Sequence, residues 1–323
     1  MDQRRLGKSD IEISALGLGC WQFSEGKGGV GFFWETLAPA LVQEIVKVTL
    51  EGGINWFDTA EAYGNGRSEA ALALALAANG RKNREVIVAT KWTPLPRTAR
   101  SLLTTIDTRL RCLGGYGIDL HQVHQPYSFS SIPAIMDAMA QLVRERKIRT
   151  VGVSNYSAAQ MRTAHAALAR HGIPLVSNQV KYSLLDRRAE SRGIITAAKE
   201  LGITIIAYSP LEQGLLTGKF HDDPALIRQR QGPRRWLPSF RAAGLARTRP
   251  VVDEVRRVAT AHGVSAAQVA LAWLTRFHAD TVVAIPGATR AHHARENVGA
   301  LALVLTPAEL ARLDEISQPF LQR

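Results

Sequence analysis

The sequence predicts a (β/α)8 barrel of the TIM-barrel class, formed by one domain spanning residues 1–323. Three observations predict it. First, eight short apolar runs, often β-branched, recur at 13–19, 53–59, 85–91, 118–124, 149–155, 175–182, 203–209 and 281–287. Near-continuous apolar runs suit strands buried on both faces, as in a parallel sheet. Second, most runs are followed by a helix-like segment, and such alternation implies right-handed crossovers between parallel strands. Eight units of this kind close into a barrel. Third, the GxGxxG that an open dinucleotide-binding sheet carries after its first strand is missing.

The elements follow in order. RLGKSDIEIS (5–14) predicts a small hairpin ahead of the first barrel strand. Ser68 is placed as the cap of a helix over 70–78, with Gly80 as its stop. Ser157 with Gln160 and Ser265 with Gln268 are capping boxes, and Thr306-Pro307-Ala308-Glu309 adds a first-turn proline to the same device. Two connections are long, 20–41 and 210–250. Both follow strand C-terminal ends, the face on which barrel enzymes place their sites.

The composition narrows the class. With 323 residues and 46% hydrophobic content the chain can bury one large core. Cys20 and Cys112 are too few for a disulfide framework and form no CxxC pair, which points to a reducing compartment and a cytoplasmic location. The N-terminus lacks the apolar run of a signal peptide, and no stretch is apolar enough to span a membrane. The net charge is +12, from 40 basic and 28 acidic residues. Residues 228–249 hold Arg228, Arg230, Arg234, Arg235, Arg241, Arg247 and Arg249 and no acid. That segment reads either as a solvated loop or as a site for a phosphate-bearing ligand. No nucleic-acid motif accompanies it, so nucleic acid is not an expected partner.

Polar residues gather at the ends of the apolar runs: Asp58, Lys91, His124, Ser154-Asn155, Gln179 and Tyr208-Ser209. Six of eight strands ending this way points to a shared site at the barrel mouth. At these positions the chain resembles the aldo-keto reductase family. FDTAEAYGNGRSE (57–69), ATK (89–91), DLHQVHQP (119–126), GVSNY (152–156), NQVKYSLLDR (178–187), YSPLEQGLLTGKF (208–220) and IPGATRAHHAREN (285–297) follow in family order. The resemblance implies an NADP-dependent oxidoreductase that reduces aldehydes or ketones without metal, with Asp58, Tyr63, Lys91 and His124 as the catalytic set. It further implies that Ser154, Asn155 and Gln179 bind the carboxamide and that Tyr208 stacks on the nicotinamide. Ser209, Pro210, Leu211, Gln213, Gly214, Leu216 and Lys219 match the segment covering the pyrophosphate. Ile285, Gly287, Thr289, Arg290, His293, Glu296 and Asn297 match the 2′-phosphate and adenine segment. His293 and Thr289 depart from the residues common there. Some barrels of this type are cofactor-binding subunits of membrane channels, so an interaction protein is the alternative. The oligomeric state is left open.

The chemistry is consistent with the four residues. Reducing a carbonyl requires a hydride at carbon and a proton at the developing alkoxide. Tyr63 can supply the proton, and a neighbouring Lys91 cation would lower the phenol below its usual value near ~10. Asp58 would keep Lys91 charged, and His124 could orient the carbonyl oxygen. His121 and His124 lie three apart on a strand and point to opposite faces, so HQVH reads as no metal pair and His121 as structural. GKGGVG (26–31) lacks the Lys and Ser/Thr of a phosphate loop and reads as a glycine-rich substrate loop. Trp21 and Trp34 bracket it, lining a pocket or packing the rim, and Trp92 is a third candidate for substrate contact.

Overall fold

The computed structural model describes residues 3–31, 33–229 and 235–322. Strands β1 (Gln3–Arg5) and β2 (Glu12–Ser14) pair antiparallel as the expected hairpin. The barrel strands follow: β3 (Leu18–Gly19), β4 (Trp56–Asp58), β5 (Ile87–Trp92), β6 (Ile118–Val123), β7 (Ile148–Ser154), β8 (Leu175–Lys181), β9 (Thr204–Tyr208) and β10 (Val282–Ala284). Each lies inside or within a residue of one of the predicted apolar runs. Neighbours in sequence are neighbours in the sheet, every pair parallel. Closure comes from the approach to β3. Gly17 N donates to Ala284 O at 2.8 Å, Gly19 N to Pro286 O at 3.1 Å and Ala284 N to Ala15 O at 3.1 Å.

Two apolar layers follow from strands buried on both faces. Inside the barrel, Trp56, Ala89, Leu120, Val176, Ile206 and Val283 pack with Leu6, Ile11 and Ile13 of the hairpin. The hairpin therefore plugs the N-terminal end. Trp56 Nε1 donates to Ser14 O at 2.9 Å, and Arg4 Nη1 to Val282 O at 2.7 Å. Gly7 has φ +53°, and a Cβ there would meet Val176 O at 2.5 Å, so the plug sits this deep only with glycine. Outside, a larger layer joins the strands to the helices.

The three predicted capping boxes form, at Ser157, Ser265 and Thr306. Ser68 is a correction. It lies inside the helix Arg67–Ala78, behind a left-handed Gly66. Its hydroxyl donates to Cys20 O at 2.6 Å and accepts from Thr59 Oγ1 at 2.8 Å, so it ties the ends of β3 and β4 together rather than capping. A second correction concerns 210–250. The helix Ala242–His262 begins inside that stretch and carries Pro250 in its interior. Arg247 and Arg249 are therefore helical. Arg247 Nη2 donates to Pro319 O at 3.1 Å and Arg249 Nη2 to His221 O at 2.9 Å. Arg230 and Arg234 lie outside the described residues.

Candidate active site

A cavity of about 790 Å³ opens at the C-terminal ends of the strands. Asp58, Tyr63 and His124 line it, and Lys91 lies directly beneath, fully buried. The ammonium of Lys91 bonds Asp58 Oδ1, Thr59 O at 2.9 Å and Tyr63 Oη at 3.4 Å. Three N–H donors thus meet three acceptors. Asp58 Oδ2 accepts from Gln122 Nε2 at 3.0 Å and from Gln179 Nε2 at 2.9 Å. Both carboxylate oxygens are thus hydrogen-bonded, which suits a buried charge.

Because Lys91 donates to Tyr63 Oη, the phenol's own proton is available to an acceptor other than Lys91, and Tyr63 lines the cavity. Burial pushes the Tyr63 phenol above its ordinary value, and the opposing Lys91 charge does not cancel that push. The net direction is opposite to the lowering expected from the sequence, and Tyr63 rests protonated. For Lys91, burial favours the neutral amine, but Asp58 and Tyr63 outweigh it and raise the pKa, so the lysine stays charged. Burial, with Lys91 adding to it, takes His124 down to about 3. His124 is therefore a neutral imidazole at any working pH, able to donate from one ring nitrogen without bringing in a charge. Its ring meets the Tyr63 ring edge-on, 5.7 Å between centroids.

A second network holds the strand ends beyond. Asn155, left-handed at φ +62°, donates from Nδ2 to His124 O at 3.1 Å and accepts from Tyr208 Oη at 3.0 Å. Ser154 Oγ donates to Gln179 O at 2.9 Å. Gln179 spends its amide nitrogen on Asp58 and Gln122, so its oxygen is what it can offer a ligand. Non-glycine residues with positive φ cluster here, including Ser209 and Gln213, as is common where a backbone serves a ligand.

Of the residues expected to hold a cofactor, Ser154, Asn155, Gln179, Tyr208, Ser209, Pro210, Leu211, Gln213, Gly214, Lys219, Ile285, Gly287, Thr289, Arg290, His293, Glu296 and Asn297 all line the cavity. Leu216 does not: it is fully buried in the core. Arg290 is the N-cap of the helix Ala291–Ala302. His293 Nδ1 lies 3.3 Å from Thr289 Oγ1, and burial lowers its pKa to about 4. Trp21 and Trp34 line the cavity, and Trp21 stacks on Tyr63 with centroids 5.9 Å apart. Trp92 is corrected: it is 1% exposed, donates from Nε1 to Ser101 Oγ at 3.0 Å and lies under Arg97. Gly28–Gly31 forms a helical turn, and Trp21 Nε1 donates to Val30 O at 3.0 Å. His121 is buried on the far side of β6 with burial holding it near 3. Among the described residues no group of three His, Cys, Asp or Glu could hold a metal ion, and no helix is long and apolar enough to cross a membrane.

Sequence reasoning missed Gln22. Its amide packs so closely on Gly287 that a Cβ there would lie 2.1 Å from Nε2. Gln22 Oε1 and Asn297 Nδ2 are buried, line the cavity and have no hydrogen-bond partner among the described residues. Buried polar groups cost free energy unless paired, so both call for a polar ligand. Together with Lys219, Arg290 and a helix N-terminus, they fit a large anionic cofactor. Nothing local in WQF marks Gln22, because its setting is made by Gly287 across the barrel seam.

The fold and site define a barrel oxidoreductase, and the chain belongs to the aldo/keto reductase family, whose family model matches residues 15–318. This family reduces carbonyls with nicotinamide cofactors. An uncharacterised oxidoreductase of Mycobacterium tuberculosis is 37% identical over 309 residues, covering 96% of this chain and 91% of its own. The chloroplastic pyridoxal reductase of Arabidopsis thaliana is 32% identical, covering 94% and 83%. The crystal structure of a thermostable aldo-keto reductase in complex with the inhibitor epalrestat superposes with a TM-score of 0.78 at 29% identity, covering 98% and 100%.

Proposed function

We propose that this chain, as one catalytic barrel over 1–323, reduces aldehydes or ketones to alcohols with NADP(H). The observation that carries this reading is the bonding of Lys91. With its three donors taken by Asp58, Thr59 O and Tyr63 Oη, Lys91 leaves the Tyr63 hydroxyl able to donate to a ligand in the cavity that Tyr63 lines. Tyr63 is then the general acid, Lys91 the charge that favours its conjugate base, and Asp58 the group that keeps Lys91 charged. Neutral His124 donates to the carbonyl oxygen and sets its place. The nicotinamide supplies the hydride when bound. Ser154, Asn155, Gln179 and Tyr208 hold its ring end, Ser209–Lys219 the pyrophosphate, and Gln22, Thr289, Arg290, Glu296 and Asn297 the remainder. Trp21 and Trp34 form the apolar side on which substrate rests. Pyridoxal, the substrate named for the Arabidopsis relative, belongs in a panel of candidate carbonyls.

The named relatives are reductases and oxidoreductases, which favours an enzyme over a channel subunit. In the test, Tyr63→Phe retains NADPH binding by fluorescence titration and loses aldehyde reduction by about 10²–10⁴-fold, the usual size of a general-acid effect. Turnover above about a tenth of wild type would exclude Tyr63 as the acid.

A further inference from the structure

Tyr63 lies in a turn, not on a strand, so something must hold that turn against the barrel. The turn leaves β4 at Asp58 and enters the helix Arg67–Ala78, and Tyr63 lies midway. Its backbone is irregular: Gly64, Asn65 and Gly66 all have positive φ. A turn of this kind has several accessible conformations and needs outside restraint to keep one.

The restraint lies behind the site. Glu61 precedes Tyr63 by two residues, and Glu69 follows it by six. Both side chains converge on one guanidinium, that of Arg109, from the helix Arg100–Cys112. Arg109 Nη1 bonds Glu69 Oε2, and Arg109 Nε lies 3.9 Å from Glu61 Oε2. All three groups are shielded: the side chain of Glu69 is 0% exposed, that of Arg109 9% and that of Glu61 11%. Each carboxylate is also fixed on its other side. Thr90 Oγ1, next in chain to Lys91, donates to Glu69 Oε1 at 2.6 Å. Thr93 N donates to Glu61 Oε1 at 2.6 Å, and Arg97 bonds the same oxygen. Arg109 also packs against the apex of the turn, since a Cβ on Gly66 would lie 3.3 Å from its Nη1.

We infer that Arg109 is a positioning residue for the general acid: one buried guanidinium of the helix Arg100–Cys112 that gathers the two flanks of the Tyr63 turn, whose carboxylates in turn reach Thr90 of β5, the strand carrying Lys91, and Thr93 just beyond it. This rests on the reading of Tyr63 as the acid. Arg109 is absent from the cavity wall, which leaves it no direct access to a ligand bound there. Its effect is to hold Tyr63 Oη at the 3.4 Å contact with Lys91 Nζ. A planar fork can reach two carboxylates at once in fixed geometry, which a lysine ammonium does less well.

The test is a double-mutant cycle on the full-length chain with a soluble aromatic aldehyde and NADPH. Arg109→Met is expected to lower kcat at least tenfold, with aldehyde KM and NADPH Kd unchanged within about twofold. Arg109→Lys is expected to recover part of the loss. In a Tyr63→Phe background, Arg109→Met is expected to add little, because the positioned group is already gone. If Tyr63→Phe abolishes turnover while Arg109→Met leaves kcat intact, the positioning role is overturned and the acid assignment stands. If neither variant loses turnover, the acid assignment itself has failed. Equal multiplicative losses in both backgrounds, or matching losses in NADPH affinity, would show a general structural role and overturn the proposal. Should Arg109→Met not fold, Glu61→Gln replaces it in the same cycle with the same expected outcomes.

Discussion

At the residue scale, the site is built from groups whose protonation is set by burial and then corrected by one neighbour. Lys91 stays charged in a dry place because Asp58 is beside it, and His124 stays neutral because nothing offsets its burial. Glu69 shows what happens when the offset is incomplete. Burial raises it from 4.5 to about 7 against the opposing pull of Arg109, the Thr90 hydroxyl and Lys91. The folded protein therefore binds more protons than the unfolded chain between pH 4.5 and 7, and stability falls as pH rises through that window. A shift of this size corresponds to at most about 3 kcal/mol. Glu69→Gln keeps an acceptor for Arg109 and removes the titration. Urea unfolding at pH 5 and pH 8 should show wild type losing more stability than Glu69→Gln across the interval. Parallel losses in the two proteins would refute it.

At the scale of elements, a helix terminus faces the cavity. The helix Ala291–Ala302 has Arg290 as N-cap, and its unpaired N–H groups and dipole favour an anion there. Arg290 adds a guanidinium suited to phosphate, and no acid lies between Asp280 and Glu296 to hold ribose hydroxyls instead. We therefore expect NADPH to bind more tightly than NADH, and Arg290→Ala to narrow the gap by about ten- to a hundredfold, or about 1.5–3 kcal/mol. Fluorescence titration of both cofactors against both proteins measures it. Equal wild-type affinities would sink the preference for NADP, and an unchanged preference in the variant would move the phosphate site away from Arg290.

At the scale of the whole molecule, the barrel concentrates chemistry at one end by sealing the other. The β1–β2 hairpin and Trp56 fill the bottom, so the open space lies at the strand C-termini. Trp56→Ala would remove the largest side chain of the inner layer and orphan Ser14 O. It should cost about 3–5 kcal/mol in chemical denaturation while leaving NADPH affinity near wild type. A loss under 1 kcal/mol would contradict the role assigned to the plug. By itself the sequence determined the eight strands, the hairpin and the capping boxes. These rest on periodicity and on hydrogen bonds between residues three or four apart, which are local. It also marked Asp58, Lys91 and His124, because strand ends in a barrel share one mouth, while Tyr63, in the turn beyond β4, was marked only by the family resemblance. Tertiary structure alone decided the rest. Trp92 looked like a pocket residue and is held in the core by Ser101 and Arg97. Ser68 looked like a cap and joins β3 to β4. The helix through Pro250 was hidden in an arginine-rich stretch, since a proline reads as a break when its packing is unknown. Gln22 against Gly287, and Arg109 between Glu61 and Glu69, unite residues up to 265 positions apart in sequence. No periodicity encodes such a meeting; it exists only once the closed barrel brings its first and last strands, and its second and third connections, into contact.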